Sequence, residues 1–481
     1  MAEKEFPFDI NPMYEGERVR KGDMYVELGG PDKPGFELVQ AVEMDEVEDG
    51  KFTLIGPDIS EMEEGSYVAY AMVYKIAGEQ VESDLEAIVE RRNHDFQNYF
   101  QGYMHLNQRY DIWIRISKDA VKKGLTSLES IAKASMKLFK GEMPFIEKVE
   151  AIYITDEDEI NKRFDEATAV YDKRDARTRD LHDEDVDTFY SCTLCQSFAP
   201  TNVCVISPDR VSLCGAISWF DGRAAAKVDP EGPNQSITVG ECIDSTSGEY
   251  SGVNDFAALT SGGEYDRIKL HSFFECPHTS CGCFEVAGFY IPEVDGIGWT
   301  HRGYDGITPV GLPFSTIAGQ VGGGKQVEGF LGIGIEYFRS PKFIQVDGGW
   351  NRVVWMPKDL KEKVEEAIPQ GVPIATEDDA TDIDSLKDFL KSNNHPVVTG
   401  VIREADGEKI TNGWVEEEEE AASEAVVPAA GGAQPMMPAF GGAMPQFSMP
   451  MQSGGGDGGV KLILKNANVS IEKLIIKKKG E

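Results

Sequence analysis

Cys281-Gly282-Cys283 sets two thiolates on either side of two backbone amides, those of Gly282 and Cys283. If both amides lose their protons, the four donors can lie in one plane, and square-planar N2S2 suits Ni(II) or Cu(II) rather than zinc. Upstream, Cys192, Cys195, Cys204 and Cys214 follow a C-x2-C-x8-C-x9-C spacing. Four thiolates in one short stretch match the ligand count of a 4Fe-4S cube or of a tetrahedral zinc site. Gly282 is expected to matter because a side chain there would crowd a chelate that turns the backbone tightly round a metal. Cys242 and Cys276 fall outside both groups and read as small buried hydrophobes.

The elements that must position these thiols are those of an α+β (mixed α/β) chain built as two packed domains. Residues 1–186 alternate apolar and polar positions in Met24-Tyr25-Val26-Glu27-Leu28 and Tyr67-Val68-Ala69-Tyr70, and show helical spacing over Leu85 to Val89 and Leu128 to Phe139. Asp156 to Asp187 reads as a solvated helix and a linker. Residues 187–400 hold all eight cysteines and are rich in Gly, aromatics and short β-prone runs such as Gly332-Ile333-Gly334 and Phe343-Ile344-Gln345-Val346, with closing helices at Leu360 to Ile368 and Ile383 to Leu390. Ordered structure is expected to end near Val401. Residues 401–459 carry five consecutive glutamates, Glu416 to Glu420, and then a Gly, Pro and Met-rich stretch that reads as a disordered tether. Residues 460–481 read as a short, basic, β-hairpin-like tail ending in Lys477, Lys478 and Lys479, placed to add strands to another protein chain or to its own sheet.

Composition bounds the setting. A formal net charge of −36 disfavours nucleic acid as a partner. No run approaches the ~18 to 20 apolar residues of a membrane span, and no N-terminal stretch has signal-peptide form. The expectation is a soluble, cytoplasmic protein with reduced thiols, so metal or catalysis outranks disulfides.

The stretches Ser191-Cys192-Thr193-Leu194-Cys195-Gln196-Ser197-Phe198-Ala199-Pro200, Leu213-Cys214-Gly215-Ala216 and Pro277-His278-Thr279-Ser280-Cys281-Gly282-Cys283-Phe284-Glu285 closely resemble acetyl-CoA synthase, in its archaeal decarbonylase/synthase form. Glu90-Arg91-Arg92, Trp113-Ile114-Arg115-Ile116-Ser117-Lys118, Gly232-Pro233-Asn234-Gln235, Phe314 to Gly319 and Val354-Trp355-Met356-Pro357-Lys358 fit as well. The resemblance implies an A-cluster, a 4Fe-4S cube bridged to two nickel ions. Cys192, Cys204 and Cys214 would hold three irons, and Cys195 would bridge the fourth to the proximal nickel. Cys281, Gly282 and Cys283 would hold the distal nickel, with both thiolates bridging to the proximal one. Phe198 matches an aromatic that in the family shields the proximal nickel's open position.

The implied activity is that of an acyltransferase: reversible assembly or cleavage of acetyl-CoA from CO, a methyl group and CoA. The implied partners are carbon monoxide dehydrogenase subunits and a corrinoid iron-sulfur protein within a complex of several proteins, in an anaerobic, methanogen-type setting. Against longer bacterial relatives, the resemblance implies a start at their second domain. CoA carries several negative charges, which Arg91, Arg92, Arg109 and Arg115 would meet while Trp113 stacks on its adenine. His278 reads either as a donor to the cluster sulfurs or as a structural histidine. Gly322-Gly323-Gly324-Lys325 lacks the G-x-x-x-x-G-K-[ST] pattern and reads as a loop near the cluster. The alternative class is an iron-sulfur electron carrier or a structural four-cysteine metal protein in a larger complex, which leaves Cys281-Gly282-Cys283 without a role.

Overall fold

Apolar alternation in the first half of the chain builds two mixed sheets. The computed structural model describes residues 5–400 apart from Phe198, with the backbone of two further strands, Arg403–Ala405 and Glu408–Ile410. In one sheet Met24–Gly29 runs parallel to Ser66–Val68 and antiparallel to Trp113–Ser117, which also pairs with Tyr103–Asn107. In the other, the order is Gly35–Ala41, Tyr70–Ala77, Lys148–Ile154, Phe52–Ile55. Tyr70–Ala77 is buried on both faces along nearly its whole length, as a central strand with an almost continuous apolar run should be.

The helices Glu86–Asn98 and Leu128–Glu142 pack on this framework. Ser127 starts the second of them, its hydroxyl accepting from the Glu129 N–H. The expected solvated helix is Glu157–Asp175, with three acidic residues in its first turn and Lys173 and Arg174 in its last, which suits the helix dipole at both ends.

The second half is arranged around a four-stranded sheet of order Phe330–Ile333, Val286–Ile291, Gly296–His301, Val353–Trp355. Side chains of its central strand alternate between two cores. Val286 enters a cluster with Phe273, Trp299 and Leu331, while Ala287, Phe289 and Ile291 enter another with Phe314, Ile317 and Trp355. Gly288 faces the first cluster, where an added Cβ would sit 2.7 Å from both the Phe273 and Trp299 rings.

One expectation is corrected here. Phe343 to Val346 is no strand. Ile344 has a left-handed φ of 37° and leads into the 3-10 turn Gln345–Asp347. Phe343 and Ile344 are buried in the aromatic cluster, and the Ile344 N–H donates to the Tyr337 hydroxyl at 3.1 Å, so a turn satisfies what a ladder would have. Just beyond Val401, the short strands Arg403–Ala405 and Glu408–Ile410 pair antiparallel. The remainder of the expected tether and the basic tail lie outside the described residues. No helix among the described residues is long and apolar enough to cross a membrane.

Candidate metal centre and its cavity

The upstream cysteines are gathered by a three-stranded sheet. Thr188–Ser191 pairs with Val205–Ile206 in the register Val205↔Ser191, so Cys192 follows one strand just where Cys204 precedes the other. The Cys192 N–H donates to the Cys204 carbonyl at 3.0 Å. Cys195 rides on the 3-10 turn Leu194–Ser197. Cys214 sits in a turn in which the Ser212 hydroxyl takes the Ile217 N–H at 2.9 Å and lies 3.4 Å from the Cys214 sulfur. Cys192 and Cys204 are buried within the core of the chain's first half, beside Leu213 and Ala216. That core and the first cysteine group are therefore one packed body.

Cys281 and Cys283 lie just before the central strand of the second half. The N–H of Gly323 donates to the Cys281 carbonyl at 3.1 Å and that of Gly324 to the Ser280 carbonyl at 2.7 Å, so the glycine loop holds this turn in place. Thr279 ties the two cysteine groups together, its hydroxyl accepting from Val203 N at 2.8 Å and contacting Asn202 Oδ1 at 3.1 Å.

The result is a convergence of sulfurs from separate segments. The Sγ atoms of Cys195, Cys281 and Cys283 all lie within 4.8 Å of one another. No described cysteine forms a disulfide. Neighbouring thiols, Cys195 first and Cys281 next, donate to Cys283 and hold its thiol well below the usual range, helped by Arg91 and His94. Cys195 is pushed up by sharing its surroundings with Cys281 and Cys283. Burial raises Cys192 to about 11 and Cys204 further. Buried thiols that resist ionisation together are what a bound cation would relieve. Three convergent soft donors, beside three further thiols in the same core, fit the nickel and iron-sulfur ligand set implied by the resemblance.

Gly282 has φ +121°, a backbone state L side chains rarely adopt, yet an added Cβ would meet no atom within 4 Å. Among protein atoms, the requirement for glycine at this position is therefore dihedral.

Sequence reasoning placed Arg91 at CoA. The structure sets it against the sulfurs. Its Nη2 lies 3.5 Å from the Cys195 Sγ and its Nη1 pairs with Asp95. Arg91, His94, Asp95 and Asn98 fall on one face of the Glu86–Asn98 helix at i, i+3, i+4 and i+7. That polar stripe on an otherwise buried helix was the available signal for a helix facing a site.

A cavity of about 730 Å³ opens between the two halves of the chain, lined by Cys214, Cys281, Gly282 and Cys283. Arg91 and Trp113 line it too. Arg92 stacks over the Phe96 ring and reaches Asp95. Arg109 is buried in a fork with Asp175, both contacts 2.8 Å. Arg115 donates to Glu27 at 2.6 Å and lies 5.1 Å from the Trp113 ring centre. The cavity also holds cations that sequence reasoning missed: Arg18, Lys33, Arg302 and Lys363. They come from segments far apart in the chain, so no local pattern joins them.

His278 resolves toward the structural reading. Its Nε2 accepts from Val205 N at 3.0 Å, its Nδ1 faces the Thr279 carbonyl at 2.9 Å, and burial lowers its pKa to about 3. Both ring nitrogens are taken by backbone. Cys242 is exposed and Cys276 half-buried, with a positive φ of 44° at Cys276, so neither is the buried hydrophobe expected. Phe198 lies outside the described residues.

Two family models cover most of the chain. The one described as "CO dehydrogenase/acetyl-CoA synthase complex beta subunit" matches residues 6–160, and the one for the C-terminal part of the ACS/CODH beta subunit matches 171–401. The chain is similar to the acetyl-CoA decarbonylase/synthase complex subunit beta of Archaeoglobus fulgidus, 66% identical, covering 99% of this chain and 94% of that one. A Methanosarcina thermophila relative, named as subunit beta 2 of the same complex, is 62% identical over 99% of both chains. Among solved structures, the C-terminal domain of an acetyl-coenzyme A synthase alpha subunit is 40% identical over 25% of this chain and 96% of that one, with a TM-score of 0.23.

Proposed function

The chain belongs to the acetyl-CoA decarbonylase/synthase beta-subunit family, and from that premise we propose that it assembles and cleaves acetyl-CoA reversibly from CO, a methyl group carried by a corrinoid iron-sulfur protein, and CoA. The observation that carries this reading is the convergence of Cys195, Cys281 and Cys283, the last two of which line a cavity large enough for a nucleotide-sized cofactor. The acyltransferase class, the cytoplasmic setting, and the carbon monoxide dehydrogenase and corrinoid partners in a complex of several proteins are parts of the same proposal.

Cys192, Cys204, Cys214 and Cys195 would hold a 4Fe-4S cluster, and Cys195, Cys281, Gly282 and Cys283 two nickel ions. When bound, this group supplies the organometallic bond making that joins methyl to CO and passes acetyl to a thiol. The chain's own residues do the rest. Burial of Cys192, Cys195, Cys204 and Cys281 keeps water from the sulfurs. Arg91, fixed by Asp95, donates toward Cys195 and offsets accumulated thiolate charge. The cavity brings the thiol end of CoA to Cys281 and Cys283, with the Trp113 indole as the surface for its adenine. Phe198 is proposed to shield the open metal position, and residues 1–186 and 187–400 to act as cofactor-facing and metal-bearing domains.

The test is anaerobic purification, iron and nickel measured per polypeptide, and CoA-dependent acetyl exchange. About four irons with nickel-dependent exchange is the expected result. Zinc alone, or iron without nickel-dependent exchange, would favour the structural or electron-carrier class.

A further inference from the structure

Most ionic groups facing the cavity are already partnered. Arg91 is held by Asp95. Lys33 pairs with Glu157 at 2.7 Å, Lys363 with Asp111 at 3.4 Å, and His301 with Asp359 at 2.8 Å. Glu285 accepts the Ile335 N–H at 2.6 Å. Arg18 and Arg302 differ, for neither forms an ion pair with a carboxylate among the described residues. The Arg302 guanidinium lies over the face of Phe314, 5.8 Å from its centre, and Arg18 is exposed at the cavity rim. In a chain with 83 acidic against 47 basic residues, two arginines facing one cavity without a carboxylate are conspicuous. The same cavity is lined by a buried donor and a buried acceptor without partners, Trp113 Nε1 and Gln108 Oε1. Leaving such groups unmade is costly unless a ligand completes them.

We propose that Arg18 and Arg302 form a phosphate-binding pair that anchors the phosphates of a phosphorylated nucleotide ligand in this cavity, with its base edge set against Trp113 and Gln108. The proposal rests on the reading of the cavity as the CoA site. It moves the phosphate contacts from the residues that sequence alone indicated to two that sequence did not. Guanidinium forks suit phosphate because two parallel N–H donors match two phosphate oxygens. Arg92, Arg109 and Arg115 are committed to Asp95, Asp175 and Glu27 instead.

Calorimetric titration of the full chain under anaerobic conditions, with desulfo-CoA and with inorganic pyrophosphate, tests the pair. Desulfo-CoA should bind, pyrophosphate should compete with it, and Arg18→Ala and Arg302→Lys should each weaken both by about tenfold. Arg179→Ala, which removes an ion pair with Glu336 outside the cavity, should leave both affinities unchanged. Arg18 is exposed, so its variant folds, and Arg302→Lys keeps the charge and most of the packing over Phe314, which holds the test open if Arg302→Ala does not fold. Desulfo-CoA binding wild type and double variant alike would overturn the pair and leave the CoA reading standing. Pyrophosphate binding that depends on both arginines, without any desulfo-CoA binding, would uphold the pair and sink the CoA reading. No binding of either ligand to wild type would overturn the pair.

Discussion

Arg91 lines the cavity and also reaches a sulfur, a contact that sequence did not indicate. A buried guanidinium can be kept only where its charge is met, and here a carboxylate and a sulfur meet it. Arg91→Ala should destabilise the fold by about 3–5 kcal/mol in chemical denaturation, because Asp95 is left buried without its main partner. Arg91→Lys keeps the charge but loses the fork, so iron content should hold while nickel per polypeptide and the cluster's reduction potential shift. Equal potentials in the two proteins would show that Arg91 does not act on the sulfurs. At Gly282 the expected outcome follows from the dihedral. Gly282→Ala forces a Cβ onto φ +121°, which costs about 1–3 kcal/mol locally. On the proposed metal assignment, nickel retention should fall while iron at the upstream cysteines stays, as metal analysis would read.

At the scale of elements, close backbone approaches set the geometry of the centre. Gly215, next to Cys214, has φ +74°, and a Cβ there would lie 2.0 Å from the Glu285 carboxylate. Gly334 approaches the same turn, where its own Cβ would come within 2.6 Å of the Gly215 Cα. The Cys214 turn and the strand Phe330–Ile333 are thus locked by two glycines. Gly215→Ala should destabilise by about 1–3 kcal/mol in urea denaturation and should reduce iron content, since Cys214 must move. Gly288→Ala is the contrasting case in the sheet: its Cβ overpacks Phe273 and Trp299 at a comparable cost of about 1–3 kcal/mol but should leave iron content intact.

Two buried neutral histidines each carry an acid-sensitive contribution to stability. His278 is lowered to about 3 and His395 to about 4, in each case mainly by burial. His395 is held from both sides, Nε2 by the Val353 carbonyl at 3.0 Å and Nδ1 by the Val397 N–H at 3.1 Å. A histidine depressed in the folded state takes up a proton on unfolding once pH drops below its ordinary value of 6.5. Its stabilising contribution is therefore full above that value and is lost as pH falls toward the folded pKa. Each histidine should cost roughly 2 kcal/mol between pH 7 and pH 5. Denaturation curves across that range, compared with His395→Gln, check this. An equal pH slope in the variant would contradict it.

Cysteine spacing was enough to point to metal-ligating thiols, because ligand type and count are properties of the residues. Apolar periodicity was likewise enough for the mixed α/β class, the strand at Met24–Gly29 and the helix at Leu128–Glu142. Long-range juxtaposition was not legible, since nothing local records it. The sulfurs of Cys195 and Cys281 meet because the core of the first half takes in Cys192 and Cys204 and the glycine loop holds the downstream turn. The same folding commits Arg109 to Asp175 and Arg115 to Glu27 while leaving Arg18 and Arg302 at the cavity. Phe343 to Val346 has strand-like composition yet turns, because burial among aromatic rings outweighs a propensity worth at most about 1 kcal/mol. Residue types settle which atoms can do chemistry, whereas long-range packing sorts the charges spent on the fold from those that remain for a ligand.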